Sequence, residues 1–148
     1  MNQSLIIISL IARLVLVGVF VTAALPKIQD PVAFGQSIVA YRLIEGDLVA
    51  WTALALPWLE LVCALGLLTP WIRKASATWI ATLLIVFITL HVSAWARGLD
   101  IDCGCFGASD ENGTNYSLSI LRNVALLAAV SFLIWLDFVR KNPLKLKT

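Results

Sequence analysis

The chain has 148 residues, enough for one domain, and 60% of them are hydrophobic against 14% charged. Soluble domains carry about 25% charged residues, so a water-solvated fold is excluded and lipid is the expected solvent. The net charge of +2 is too small to indicate nucleic acid, and the placement of the charges matters more than their sum.

Four runs are long enough to cross a hydrocarbon core, which needs roughly 20 residues. They are Leu5–Leu25, Leu48–Thr69, Ala75–Trp95 and Leu118–Phe138. Each is rich in Leu, Ile, Val and Ala without period-two alternation, so each predicts a helix. No Lys or Arg precedes the first run and Arg13 interrupts it, which argues against a signal peptide. The expected fold is all-α: a four-transmembrane-helix antiparallel bundle in one membrane-embedded domain, residues 1–148.

The link from Lys27 to Asp47 carries a pattern of its own. Pro26 and Pro31 bracket the exit from span one, and Phe34, Ile38 and Tyr41 then recur at helical spacing. A short amphipathic helix at the outer interface is expected between spans one and two. In span two, Pro57 lies one turn before Glu60 and cannot donate to the Ala53 carbonyl, so a kink there is expected.

Basic residues in short loops mark the cytoplasmic side. Arg73 and Lys74 lie between spans two and three, and Arg140, Lys141, Lys145 and Lys147 follow span four. The opposite loops hold Asp30, Glu45, Asp47, Asp100, Asp102, Asp110 and Glu111 against Lys27, Arg42 and Arg97. This places the chain in the cytoplasmic (inner) membrane as a multi-pass protein with both termini cytoplasmic. The Ala96–Ser117 loop is then extracytoplasmic.

That loop holds Cys103-Gly104-Cys105-Phe106-Gly107. An oxidising compartment permits a disulfide. Across one glycine the Cα separation can just meet the usual range of roughly 4.4–6.8 Å, and such a bond is strained and labile. A clip around so short a loop removes little entropy from the unfolded chain. Three readings stand: a redox pair, a structural disulfide, or half of a tetrahedral metal site with His91 as a third ligand. No fourth ligand is evident, and no metal is assigned. The remaining thiol, Cys63, lies far from this pair in span two and reads as packing.

Ionisable groups within spans are costly and face the bundle interior. Counted at 1.5 Å per residue from the span ends, Arg13 and Glu60 lie level on neighbouring helices, which predicts a buried Arg13–Glu60 pair. By the same count His91 and Arg122 lie near the outer ends of spans three and four, at the cysteine end. The six tryptophans lie mostly near span ends, as an aromatic belt does.

Together these features resemble the MauE/DoxX-type redox-associated membrane proteins, most closely the MauE (methylamine utilisation) branch. The resemblance runs from about Arg13 to Ala129. It rests on Arg13 with Phe20, "PKIQDPVAF" (Pro26–Phe34), "LPWLEL" (Leu56–Leu61), "RGLDIDCGCFG" (Arg97–Gly107) and "LRNVALL" (Leu121–Leu127). The Cys-x-Cys-Phe-Gly motif in the third loop is its most specific part. The resemblance implies a membrane bundle working with an extracytoplasmic thioredoxin-like protein to mature a disulfide-containing client. DoxX relatives imply a link to membrane quinone. Carried over by position, Cys103 and Cys105 are the redox pair, and Arg13, Lys27, Glu60 and Arg122 are the polar positions. One departure is "NYSLSILRN", the stretch before Arg122, where the resemblance implies an aromatic residue, often Trp, after the small polar residue and Tyr116 instead precedes Ser117. From these come two functional expectations. The first is thiol–disulfide exchange through Cys103 and Cys105, with a quinone held near His91 and Arg122. The second is a non-catalytic membrane anchor that docks the partner and uses the CGCFG motif for shape.

Overall fold

The computed structural model describes residues 3–99 and 116–141. Five helices account for most of them: α1 (Gln3–Gln29), α2 (Pro31–Ala40), α3 (Asp47–Gly66), α4 (Arg73–Ala96) and α5 (Tyr116–Lys141). Four of these, all but α2, are long and apolar enough to cross a membrane, so the chain is a multi-pass membrane protein. Among the described residues there is no strand.

α1 runs four residues beyond the expected end of span one and passes through Pro26. The carbonyl of Pro26 still accepts from the Asp30 N–H at 3.0 Å, because a proline forfeits only its own donor. The break comes at Asp30, whose extended backbone (φ −132°, ψ 79°) suits the residue before a proline. Its carboxylate accepts from the Ala33 N–H at 2.9 Å, and Pro31 opens α2, so one dipeptide both ends α1 and caps the next helix. At the other end of the bundle's fourth helix, α4 stops in a left-handed turn. Gly98 has φ +61°, and the Leu99 N–H reaches back to the Ala94 carbonyl at 3.1 Å. Glycine suits this position because it has no Cβ to clash there.

The core is built from one stripe of each long helix. Leu16 and Phe20 of α1 meet Cys63 and Ala64 of α3, Ala77, Ile80 and Leu84 of α4, and Val130 and Leu133 of α5. Gly66 lets α3 close onto α4: a Cβ there would collide with the hydroxyl of Ser76 and press on Ile72. Such small-residue contacts are how membrane helices approach closely without a hydrophobic drive between them. The outer surface stays apolar, and all six tryptophans are exposed. Cys63 is buried in the core, as its packing role requires.

α1 is displaced along the bundle relative to its neighbours. Arg13 meets Asp137 near the end of α5 and lies level with Arg73, the first residue of α4. Most of the residues before Arg13 therefore run past the start of α4, while α5 continues beyond Asp137 to Lys141. Ile6, Ile7, Ile8, Leu10 and Ile11 are accordingly exposed. At the opposite end α1 stops short, and α2 packs against α3 to cover the space. Phe34 and Gly35 are its buried residues.

Candidate functional site

The expected Arg13–Glu60 pair does not form. Glu60 instead accepts from the Lys27 ammonium, with Oε1 at 2.9 Å and Oε2 at 3.0 Å. Arg13 donates to Asp137 at 3.2 and 3.4 Å. The physical reason is the displacement of α1. Counting depth from span ends assumes that all helices begin in one plane, whereas Arg13 lies at the end of α4 and α5. The residue that reaches Glu60 is Lys27, about 21 Å further along the same helix. Leu16, Phe20, Ala24 and Lys27 share one buried face. Helical side chains lean toward the N-terminus, which carries the Lys27 ammonium back into the bundle.

Around this ion pair all five helices converge. Lys27 comes from α1 and Glu60 from α3, and their side chains are 2% and 1% exposed. The ammonium lies 5.0 Å from the ring centre of Phe34 on α2 and 5.2 Å from that of Phe87 on α4. Both aromatic faces attract a cation, most strongly where water is excluded. Arg122 and Asn123 of α5 complete the wall of a cavity of about 30 Å³ beside the pair. One carboxylate thus shares its cavity with two cationic side chains. That space admits water, not a small-molecule ring, whose sites run to roughly 300–1,000 Å³. His91 does not line it. A larger groove of about 600 Å³ runs between α2 and α3, lined by Val32, Val39, Val49 and Leu54 among others, and neither His91 nor Arg122 borders it. His91 and Arg122, expected to hold a quinone, thus do not line either of these cavities together.

His91 has its own setting near the end of α4. It is 1% exposed, and its Nδ1 lies 2.7 Å from the Phe87 carbonyl. A carbonyl only accepts, so Nδ1 carries a proton and donates to it. That Nε2 has no hydrogen-bond partner among the described residues. The ring stands edge-on to Tyr41 with centroids 6.3 Å apart. Arg97 donates to the Tyr41 carbonyl at 2.7 Å, tying the end of α4 to the end of α2. Cys103 and Cys105 lie outside the described residues, in the link that leaves α4 at this end and enters α5 at Tyr116.

Asp137 is a buried polar residue that the sequence reading does not single out. It lies inside the span-four run and is 5% exposed. Its signal is spacing: Val130, Leu133 and Asp137 fall three and four residues apart, on the buried face of α5. Among the described residues no group of three or more His, Cys, Asp or Glu is placed to hold a metal.

The sequence pattern of the family described as methylamine utilisation protein MauE matches residues 5–136. The chain belongs to the MauE family. Three curated MauE proteins, each called methylamine utilization protein MauE, are similar to it. That of Methylophilus methylotrophus is 34% identical over 120 residues, 80% of this chain and 63% of the relative. That of Methylorubrum extorquens is 33% identical over 134 residues, 88% of this chain and 70% of the relative. That of Paracoccus denitrificans is 33% identical over 120 residues, 78% and 62%. The chain thus spans less than two thirds of the length of two of these MauE relatives. No solved structure matches it. The matched MauE region includes the Lys27–Glu60 pair, Arg122, His91 and the CGCFG link.

Proposed function

We propose that this MauE-family protein is a membrane thiol–disulfide exchange protein that works through Cys103 and Cys105 on an extracytoplasmic thioredoxin-like partner. The observation that carries the reading is the position of a Cys-Gly-Cys motif in the α4–α5 link of a MauE-family helix bundle. That link belongs to the same end as α2, His91 and the Arg97–Tyr41 contact. The concentration of basic residues at the start of α4 and at and beyond the end of α5 supports an orientation with both termini cytoplasmic. The cysteines then face the oxidising side of the inner membrane, where a strained disulfide across one glycine persists yet exchanges readily.

The exchange balances between the two proteins. A partner thiolate attacks one sulfur of the Cys103–Cys105 disulfide, forming a mixed disulfide and releasing the other cysteine as thiolate. The second partner thiolate then attacks the mixed bond. The partner leaves as a disulfide, and Cys103 and Cys105 are left as two thiols. Two electrons have moved, with the two partner protons ending on the released sulfurs. Names of the relatives associate MauE with methylamine utilisation, and maturation of a disulfide-containing client in that process is the role proposed for the exchange. The Lys27–Glu60 node would hold the five helices in place beneath the link.

Trapping tests the reading. A Cys105→Ser chain should accumulate a mixed disulfide through Cys103 with a thioredoxin-like protein, or Cys103→Ser should do so through Cys105. A chain with both cysteines changed to serine that still supports client maturation would make the protein an anchor instead. An impermeant thiol reagent should label the reduced pair in intact cells. Labelling only after lysis would reverse the orientation.

A further inference from the structure

The second charged cluster, at the other end of the bundle, is out of balance. Among the described residues, Asp137 is the one carboxylate in it. Arg13 donates to that carboxylate at 3.2 Å, and the Nε of Arg73 lies 3.5 Å from its second oxygen. Lys74 donates to the Asp137 backbone carbonyl, at 3.4 Å, which neutralises no charge. Among the described residues, three cations therefore share one anion. Arg13 is 13% exposed and Arg73 24%, so part of this excess is withdrawn from water, where uncompensated charge is costly. The Nε of Arg73 is buried and has no hydrogen-bond partner among the described residues.

The surroundings point to what supplies the missing negative charge. Arg73 opens α4, so the cluster lies where a membrane-crossing helix begins. Trp71, beside it in the α3–α4 turn, is 94% exposed, and Trp is the residue of the headgroup level. Leu14 and Val15 of α1 and Ile72 are exposed around the same site, apolar surface suited to acyl chain. Guanidinium groups fit phosphate oxygens in a planar fork, and an ammonium adds a point charge. Basic sites between membrane helices recruit anionic headgroups by this chemistry.

We propose that Arg13, Arg73 and Lys74 form a binding site for the phosphate headgroup of an anionic phospholipid, with Asp137 holding the two arginines in place. The site is independent of the cysteine pair and of the redox reading. Native mass spectrometry of the full chain, released from detergent with added phosphatidylglycerol or phosphatidylcholine, tests it. Phosphatidylglycerol should be retained in preference, and added salt should weaken its binding. Lys74→Gln should lower its affinity about fivefold, the effect of one basic residue near a charged surface. Lys74 is exposed, and its ammonium donates to a backbone oxygen rather than to a buried side chain, so this variant tests binding without disturbing the core. Arg73→Gln should lose more, and a melting curve on the same sample reports whether it remains folded. Equal retention of the two lipids would overturn the proposal, as would unchanged phosphatidylglycerol binding in Lys74→Gln. Inorganic phosphate that binds the lipid-free chain while the two lipids bind alike would make this a free-anion site and overturn it too.

Discussion

Lys27 and Glu60 show how a polar pair is kept inside a lipid-facing bundle. Both oxygens of Glu60 are used by one ammonium, and two aromatic rings flank that ammonium. With both side chains almost fully buried, removing one partner leaves an uncompensated charge at a cost on the order of 3–5 kcal/mol. Glu60→Gln and Lys27→Met are each expected to lower the melting temperature of the purified protein sharply. The double variant should lose less than the sum of the two, because neither Lys27 nor Glu60 is then buried without the other. Additive losses in a double-mutant cycle would show that the two side chains do not act as a pair. At the second cluster the partner is Asp137, so exchanging Arg13 and Asp137 should recover part of what Arg13→Asp alone loses. Recovery by exchanging Arg13 with Glu60 would contradict the observed pairing.

Among the elements, the contact between α3 and α4 depends on the smallness of Gly66. A methyl group there meets Ser76 and Ile72 rather than open space. Ser76 is itself buried and cannot swing aside into lipid without losing its packing. Gly66→Ala is expected to destabilise the protein by about 1–3 kcal/mol, the range for overpacking a filled contact. The measurement is a denaturation midpoint in detergent. Gly18 is the control, since a Cβ there meets nothing within 4 Å and Gly18→Ala should be tolerated. Equal losses at the two glycines would remove the case for close α3–α4 packing.

For the whole molecule, the displacement of α1 governs which charges meet. It carries Arg13 to one end of the bundle and draws Lys27 inside the other, with α2 folded over the space that α1 leaves. The core between these ends reports on the fold as a unit. Cys63 is 5% exposed within it. In a chain with Cys103 and Cys105 changed to serine, Cys63 should resist a thiol reagent until the bundle opens. Its labelling should then follow the loss of helical signal as denaturant is added. Rapid labelling under native conditions would show that the four stripes do not pack as one core.

What the sequence by itself determined is the class of solvent, the number of long helices, the helix after span one and the MauE resemblance. These rest on run length, helical spacing and short motifs, all local properties of the chain. It also marked Arg13, Glu60 and Arg122 as intramembrane charges, because a charge in an apolar run is visible in one dimension. Only the tertiary structure decided which charges pair. Pairing depends on how far each helix slides along its neighbours, and that offset is set by packing: Leu16 and Phe20 against α3, α4 and α5, and Gly66 against Ser76. Lys27 falls beyond the apolar run and so reads as a loop residue. Yet α1 continues through Pro26 and buries it, and a slide of one helix turns a charge at the end of a span into the centre of the site.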